Sequence, residues 1–227
     1  MFYDTETTGL PLYREPSDDP RQPHIVQLAA AVVNLDTQQL ISSMDVIVRP
    51  DGWSIPQEIA RIHGISTEYA LDVGIPEEVA LRLLTEFWSN TSVRIAHNET
   101  FDARMIRIGL KRYDVGVDPD AWKAGNAVCT QRLATPLCKL GKTASLSEAF
   151  QHFTGANRAI EHDAMSDVQA CVAVYFAIMG GSHSDAAAGQ QQLADHVTAV
   201  REVARQGTDE VAARIDRGVV SGLGIIR

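Results

Sequence analysis

A nearly unbroken apolar segment from His24 to Leu35 constrains the fold of this 227-residue chain most strongly. Such a run is typical of a β-strand that is buried on both faces. Asp36 to Gln39 then forms a polar turn, and Ile41 to Val48 alternates apolar and polar side chains, as a strand with one wetter face does. The two segments predict an antiparallel hairpin within a larger sheet.

Two short apolar runs further along the chain predict additional strands, Val93 to Ala96 and Ala127 to Thr130. Helices are expected where caps, acidic first turns and apolar spacings of three or four residues occur. These signals lie over Pro56 to Ile62, from Pro76-Glu77-Glu78, after the capping residue Asn98, from the capping box of Ser145 to Glu148, and over Asp163 to Met179. The order of elements predicts an α/β fold, with a mixed sheet flanked by helices.

The sequence changes character after Gly181. Residues 182–189 are small and polar, as in a linker, and Gln190 to Arg205 carries an apolar stripe at helical spacing. We therefore expect one domain over residues 1–181 and a linker with a helical appendage over residues 182–227. The appendage could dock a polymerase, mediate self-association, pack on its own domain or be disordered.

Composition indicates an ordinary globular protein, with 45% apolar and 22% charged residues. No apolar run approaches the roughly 20 residues that span a membrane, and the N-terminus lacks the features of a signal peptide. We expect a cytoplasmic protein without a membrane segment. Cys129, Cys138 and Cys171 are odd in number and form no C-x-x-C pair, so they are expected to be reduced thiols that serve in packing.

The net charge of −9 argues mildly against a protein that coats long nucleic acid, because phosphate binding usually needs a basic surface. It does not exclude an enzyme that grips a few nucleotides, since metal ions can neutralise acidic groups and bind phosphate at one site. Arg104, Arg107 and Lys111 recur at helical spacing and could follow a phosphate backbone. A solvated helix face explains these three residues as well.

Asp4 and Glu6 place two carboxylates close together near the start of the chain. Residues two apart in a strand point the same way, and two like charges held that close are costly unless a cation or a proton lies between them. A solvated acidic strand end is the alternative. Because only three residues precede Asp4, the strand is either short or incomplete in this sequence. We expect Phe2 to be buried in either case.

Two later segments carry related chemistry. Asp102 lies in the first turn of a predicted helix, where an acidic residue is also common as a partner of the helix dipole. His162 and Asp167 are five residues apart, which on a continuous helix would separate them by about 140°. They converge only if His162 lies in the loop before the helix and Asp167 lies in its opening turns. A solvated histidine or a helix cap is the alternative.

Together these segments resemble the DEDDh, or DnaQ-like, family of 3′–5′ exonucleases in the ribonuclease H-like superfamily, which includes the proofreading subunits of bacterial replicative polymerases. The family pattern is D-x-E-T-T-G, then H-N-x-x-F-D, then H-x-x-x-x-D, and all three occur between Phe2 and Met179. The resemblance implies a five-stranded mixed sheet whose second strand is antiparallel to the others. It also implies four metal-binding acids and a catalytic histidine, which are Asp4, Glu6, Asp102, Asp167 and His162.

A weaker match combines Glu58 with His63, which opens an H-G-I sequence. In the family this segment helps to hold the 3′-terminal nucleotide, although a helix end stopped by glycine is the alternative. Thr7 and Leu10 are expected to meet the terminal sugar and base, through a backbone amide and an apolar contact respectively. Phe101 is either a substrate contact or a core residue.

The residue types also suit phosphodiester hydrolysis on chemical grounds. Two divalent ions about 3.5–4 Å apart can activate water and neutralise the leaving oxygen, and Mg²⁺ or Mn²⁺ prefer carboxylate oxygens. Zn²⁺ would favour cysteine and histidine ligands. His162 would then take the proton of the attacking water, a role in which histidine is the most common side chain.

The sequence therefore predicts a metal-dependent exonuclease that releases nucleoside 5′-monophosphates from the 3′ end of nucleic acid, with single-stranded DNA favoured. A 3′–5′ exoribonuclease or oligoribonuclease of the same family is the first alternative, because nothing in the motifs reads the 2′-hydroxyl. A non-catalytic binding module on the same fold is the second alternative. Such a module would be expected to lack at least one of the five motif residues.

Overall fold

The computed structural model describes residues 1–158 and 162–180, which form one sheet covered by helices. The strands of this part of the chain are β1 (Phe2–Thr7), β2 (Ile25–Val33), β3 (Leu40–Arg49), β4 (Ile75–Pro76), β5 (Arg94–Ala96) and β6 (Ala127–Cys129). Its helices are α1 (Gln57–His63), α2 (Thr67–Val73), α3 (Glu77–Ser89), α4 (Glu99–Arg112), α5 (Pro119–Ala124), α6 (Thr130–Cys138), α7 (Leu146–Thr154) and α8 (Ala164–Ile178). The strand order is β4-β3-β2-β1-β5-β6.

β2 and β3 form the predicted antiparallel hairpin. Their register runs from Gln27 opposite Ile47 to Val33 opposite Leu40, with an irregularity after Val32. Nearly every residue of β2 is buried, because helices cover the sheet on both faces. β2 is antiparallel to β1 and β3, whereas β1, β5 and β6 are parallel, so the implied direction of the second strand is confirmed.

β1 lies in the middle of the sheet, between β2 and β5. Its six residues give it an ordinary strand length, and Phe2 is fully buried, as expected. The ring of Phe2 packs edge-on against Tyr175 of α8, with centroids 5.4 Å apart, while Tyr3 packs against Trp122 of α5 at 5.7 Å. Since side chains alternate along a strand, Asp4 points toward the same face as Phe2.

Two cores hold the helices on the sheet. On the Tyr3 side, Leu81 of α3 and Met105 of α4 belong to one large apolar cluster. On the other side, α6, α7 and α8 share a smaller cluster that includes Phe150 and Val174. This double coverage places the N-terminal turns of α4 and α8 near the end of β1.

Some elements differ from the sequence prediction. The sheet has a sixth strand, because the two residues of β4 pair in parallel with β3. Pro76 closes that strand and precedes α3, where the sequence predicted it inside the first turn. Asn98 precedes α4 with a left-handed backbone (φ 66°), and its side chain makes no capping hydrogen bond with any described residue. The capping box of Ser145 and Glu148 is confirmed.

The arginines of α4 hold the loop that follows β1. Arg104 donates to the backbone oxygen of Glu15 at 2.6 Å, and Arg107 donates to Ser17 Oγ at 2.9 Å. These two side chains are therefore engaged with the protein, neither solvated as a free helix face nor presented to a phosphate backbone. Lys111 remains exposed.

The predicted linker and helical appendage over 182–227, with their proposed docking roles, lie outside the described residues. Within the described ranges, no helix has the length and apolar character needed to cross a membrane.

Candidate active site

Three carboxylates converge at β1. Asp4 and Glu6 project from one face of the strand, and Asp167 approaches them from the first turn of α8. One oxygen of each carboxylate lies within 4.8 Å of the other two. The folding of the chain has thus brought together acids that are more than 160 residues apart in sequence.

Like charges in this partly dehydrated position favour the protonated acids. The pKa of Asp4 is raised well above its ordinary value by burial, and the charges of Asp102, Asp167 and Glu6 raise it further. Burial, followed by the charges of Asp167 and Asp102, raises the pKa of Glu6 to about 8. A cluster with such pKa values takes up either protons or a cation at neutral pH.

Asp102 lies beside this group of three and is fixed by β1. It is buried in the first turn of α4, and its Oδ1 accepts hydrogen bonds from the backbone N–H of Thr5 at 3.0 Å and from the Thr5 hydroxyl at 2.8 Å. Burial raises the pKa of Asp102 to about 7, although the two hydrogen bonds oppose that shift. Its charge acts on Asp4, but it is not one of the three mutually close carboxylates.

His162 meets the geometric condition set by the sequence. It lies in the loop before α8, while Asp167 occupies the first turn of that helix. Its backbone is left-handed (φ 42°), a conformation in which non-glycine residues are uncommon. The exposed imidazole lines a cavity of about 300 Å³ together with Asp4 and Asp167.

A glutamine of β2 fixes the start of α8. Gln27 is buried opposite Glu6 in the β1–β2 ladder. Its Oε1 accepts from the backbone N–H of Ala164, and its Nε2 donates to Asp163 Oδ2, both at 3.1 Å. Asp163 in turn caps α8 by accepting from the backbone N–H of Ser166 at 2.9 Å. The position of Asp167 relative to β1 is therefore held by hydrogen bonds as well as by packing.

Arg158 contributes a positive charge to the same cavity. One terminal nitrogen of its guanidinium forms an ion pair with Asp167 Oδ1 and also donates to Ser166 Oγ at 3.2 Å. The arginine side chain is only 10% exposed.

His63, predicted as a substrate contact, lies near this centre. Its Nδ1 accepts from the backbone N–H of Ile65 at 3.1 Å, and its buried Nε2 has no hydrogen-bond partner among the described residues. Burial and then the charge of His162 lower its pKa, while the backbone of Thr7 acts in the opposite direction. His63 is therefore close to both His162 and Thr7, with a polar atom left for a ligand.

The other predicted contacts differ in their surroundings. Thr7 is buried and its hydroxyl donates to the backbone oxygen of Gly9 at 2.9 Å. Leu10 is 75% exposed in the following loop, and Glu58 is exposed on α1. Phe101 is partly buried and packs against the large core, which supports the core alternative. Because the side chain is not fully buried, a contact with substrate is still open to it.

The donor set suits a hard divalent cation. The close group consists only of carboxylate oxygens, the ligands that Mg²⁺ and Mn²⁺ prefer, and the raised pKa values mark a site where positive charge is missing. Asp4, Glu6 and Asp167 would hold such an ion. Asp102 lies next to them, hydrogen-bonded to Thr5, the residue that follows Asp4.

Three residues of the site were not identified from the sequence. Thr5 stands between the two acids of the first motif and carried no separate signal. Gln27 is a polar residue within an otherwise apolar strand, and that exception could have marked it. Arg158 has no fixed spacing to the motif residues that would single it out.

The family comparison covers most of the chain. A protein-family model described as exonuclease, RNase_T, matches residues 1–175. The chain belongs to the RNase_T exonuclease family. This assignment confirms the resemblance to DnaQ-like exonucleases of the ribonuclease H-like superfamily, and a nuclease function follows from it.

Individual relatives of this exonuclease domain are more distant. A Mycobacterium tuberculosis (strain CDC 1551 / Oshkosh) protein named as a bifunctional exonuclease/endonuclease is 28% identical over 181 residues, which is 79% of this chain and 26% of that protein. Escherichia coli exonuclease I in its zinc-bound complex with single-stranded DNA is similar with a TM-score of 0.61 and 20% identity, over 87% of this chain and 42% of that one. Its complex with a dA16 oligonucleotide gives 0.60 at the same identity and coverage. The chain spans about a quarter of the curated relative and less than half of exonuclease I, and the structural similarity shows a shared fold.

Proposed function

We propose that this protein is a metal-dependent 3′–5′ exonuclease that acts on single-stranded nucleic acid, with DNA favoured, and releases nucleoside 5′-monophosphates. The observation that carries the proposal is the convergence of Asp4, Glu6 and Asp167 within 4.8 Å, beside a cavity that Asp4, Asp167 and His162 line. Structures of E. coli exonuclease I with single-stranded oligonucleotides support the choice of substrate class.

The four acids share one task in this proposal, and neighbouring residues hold them in place. Asp4, Glu6 and Asp167 bind two divalent ions, Mg²⁺ or Mn²⁺, with Asp102 as the fourth acid. The ions, when bound, lower the pKa of the attacking water and neutralise charge on the leaving oxygen. Thr5 orients Asp102 through its two hydrogen bonds, and Gln27 holds the start of α8 so that Asp167 keeps its distance from β1.

His162 acts as the general base. Its place in the loop before α8 leaves the imidazole exposed to the cavity, where it can accept a proton from a water held beside the acids. The backbone of His162 is left-handed, and its side chain lines the same cavity as Asp167.

The terminal nucleotide binds between the first strand and α1. The unpartnered Nε2 of His63 is available for the 3′-hydroxyl or the sugar, since a buried polar atom without a partner gains most from a ligand. The exposed side chain of Leu10 packs on the base, and Thr7, Glu58 and Phe101 complete the predicted contact set.

The experiment uses single strands, duplexes and RNA, each labelled at the 3′ or the 5′ end, with Mg²⁺, Mn²⁺ or a chelator. We expect mononucleotides released from the 3′ end of single-stranded DNA only when metal is present. Faster release from RNA would reassign the substrate to RNA, and release from the 5′ end would overturn the polarity. An absence of cleavage with both ions would favour the binding module.

A further inference from the structure

Arg158 stands out because it pairs with one of the acids that would hold a metal ion. Its guanidinium pairs with Asp167 Oδ1, and Asp167 is one of the three carboxylates that lie within 4.8 Å of one another. The same nitrogen reaches Ser166 Oγ at 3.2 Å, so the arginine is anchored at two points at the start of α8. A lone pair that accepts from a guanidinium is not available to a metal ion at the same time.

The ion pair is also partly buried. The Arg158 side chain is 10% exposed and the Asp167 side chain 21%, so solvent screens the pair only in part. A partly buried charge cannot simply be released, because it would lose its partner in a region of low polarity. If a metal ion displaces Arg158 from Asp167, the guanidinium needs another anion within reach.

A substrate phosphate bound in the cavity would be such an anion. Among the described residues that line it, Arg158 is the single arginine or lysine, alongside Asp4, Asp167, His162, His97 and the serines at the start of α7. A nucleotide phosphate in this cavity would meet Arg158 as well as the carboxylates of Asp4 and Asp167. Guanidinium groups bind phosphate oxygens well, because their planar fork matches the geometry of the anion.

We propose that Arg158 is an exchangeable counter-ion, paired with Asp167 before metal binds and with a substrate phosphate afterwards. This inference rests on the proposed metal-dependent function of the same site. Arg158 then lowers the affinity of the free protein for metal and raises the affinity of the metal-loaded protein for nucleotide. It thereby links metal loading to the arrival of substrate.

The first test is a calorimetric titration of the full-length protein with MnCl₂, without nucleic acid. Arg158→Gln should bind Mn²⁺ about tenfold more tightly than the wild type, since tenfold corresponds to ~1.4 kcal/mol, at the lower end for a hydrogen bond to a charged group. Arg132→Gln is the matched control, because Arg132 is exposed on α6 next to the cavity residue Gln131 and carries the same charge. The control should bind Mn²⁺ as the wild type does. Equal affinities in Arg158→Gln and the wild type would overturn the proposal.

The second test uses thymidine 5′-monophosphate with saturating Mn²⁺, because this ligand supplies the phosphate without being cleaved. Arg158→Gln should bind it about tenfold more weakly than wild type, and Arg158→Lys should lie between the two, since lysine keeps the charge but loses the fork. Unchanged affinity in Arg158→Gln would overturn the exchange. Thermal unfolding with and without Mn²⁺ shows whether each variant is folded, and a folded Arg158→Lys keeps the test valid if Arg158→Gln is not.

Failure of the proposed function gives a different result. A wild-type protein that binds no Mn²⁺, or binds it without cleaving any labelled strand, would contradict the exonuclease assignment itself. If the wild type binds Mn²⁺ and cleaves, and Arg158→Gln titrates identically to the wild type, only the counter-ion role of Arg158 would be contradicted.

Discussion

Among the described residues, two groups of buried acids differ in how far neighbouring groups compensate their charge. Glu99 is paired with Arg94 at 2.8 Å, and both side chains are less than 10% exposed. Glu77 accepts from the backbone N–H of Ile25 at 3.1 Å and lies 3.5 Å from Arg112. Each of these glutamates is matched by positive charge and by hydrogen-bond donors from neighbouring elements.

The acids at the end of β1 lack that compensation. The charge of Asp167 acts on both Asp4 and Glu6, and Arg158 is the single arginine or lysine among the described residues that line the adjacent cavity. A buried acid with a partner stabilises the fold locally, whereas a group of acids without enough partners stores unfavourable energy until a cation arrives. The contrast supports the proposal that the acids at the end of β1 are functional and that Glu77 and Glu99 are structural.

The largest expected effect follows from removing a functional acid. Asp4→Ala should lower the exonuclease rate by at least ~10³-fold, because metal ions supply several kcal/mol of transition-state stabilisation and each 1.36 kcal/mol is tenfold in rate. In chelator, the same variant should be no less stable than the wild type, since it removes a repulsive charge. Labelled-strand assays measure the rate, calorimetry measures the affinity for Mn²⁺, and denaturant unfolding measures the stability. Unchanged Mn²⁺ affinity in both Asp4→Ala and Asp167→Ala would contradict the assignment.

The next effect separates the base from the metal ligands. His162→Ala should lose about 10²–10⁴-fold in rate, the usual contribution of a positioned general base, while binding metal like the wild type. Because the backbone at this position is left-handed, His162→Asn is the better matched variant, since asparagine tolerates that conformation more readily than alanine. A variant of either kind that retains nearly full rate would remove His162 from this role.

Breaking a compensated acid should affect stability in the opposite way from Asp4→Ala. Glu99→Ala leaves Arg94 buried without its carboxylate, and removing one partner of a buried pair costs ~3–5 kcal/mol in the free energy of unfolding. Tyr3 would also lose the hydrogen bond that its hydroxyl donates to Glu99 at 3.2 Å. Urea unfolding in chelator gives the comparison, and a loss below ~1 kcal/mol would show that the two regions differ less than we infer.

The stability of the metal-free protein should also depend on pH. Folding raises the pKa of Glu6 to about 8 and that of Asp102 to about 7, so between pH 5 and pH 7 the folded state binds more protons than the unfolded state. The contribution of both acids is therefore most favourable below pH 4 and is lost as the pH rises through 7 and 8. The free energy of unfolding in chelator should fall by up to ~1.4 kcal/mol per pH unit for each proton. Saturating Mg²⁺ should flatten this dependence. A flat profile in chelator would argue against repulsion between the clustered acids.

Much of the fold follows from local patterns in the sequence. The apolar run that became β2 and the capping box of Ser145 are local signals, and the structure confirms both. β4 was missed because two residues carry no periodicity. α6 contains Pro136, a residue that sequence reasoning takes as a helix breaker.

The candidate site shows the same division between local and distant information. The motif acids could be named from sequence because they match the pattern of a known family, in which a strand and two helix starts carry them. The partners that tune them could not, since Thr5 and Gln27 act through hydrogen bonds to residues about 100 positions away or more. Arg158 pairs with Asp167, which lies nine residues further along the chain, and no periodic pattern in the sequence marks that pairing.

The loop held by α4 has a consequence for how the protein responds to salt. Each phosphate that a lysine or arginine neutralises on a single strand releases counterions and adds about −0.7 to the slope of log affinity against log salt concentration. Arg104 and Arg107 are already occupied by the loop, and the chain carries a net charge of −9. Arg158 is the single arginine or lysine among the described residues that line the cavity, and we therefore expect a slope near that of a single neutralised phosphate. Binding to single strands should therefore change little between low and high salt, while it depends strongly on the divalent ion.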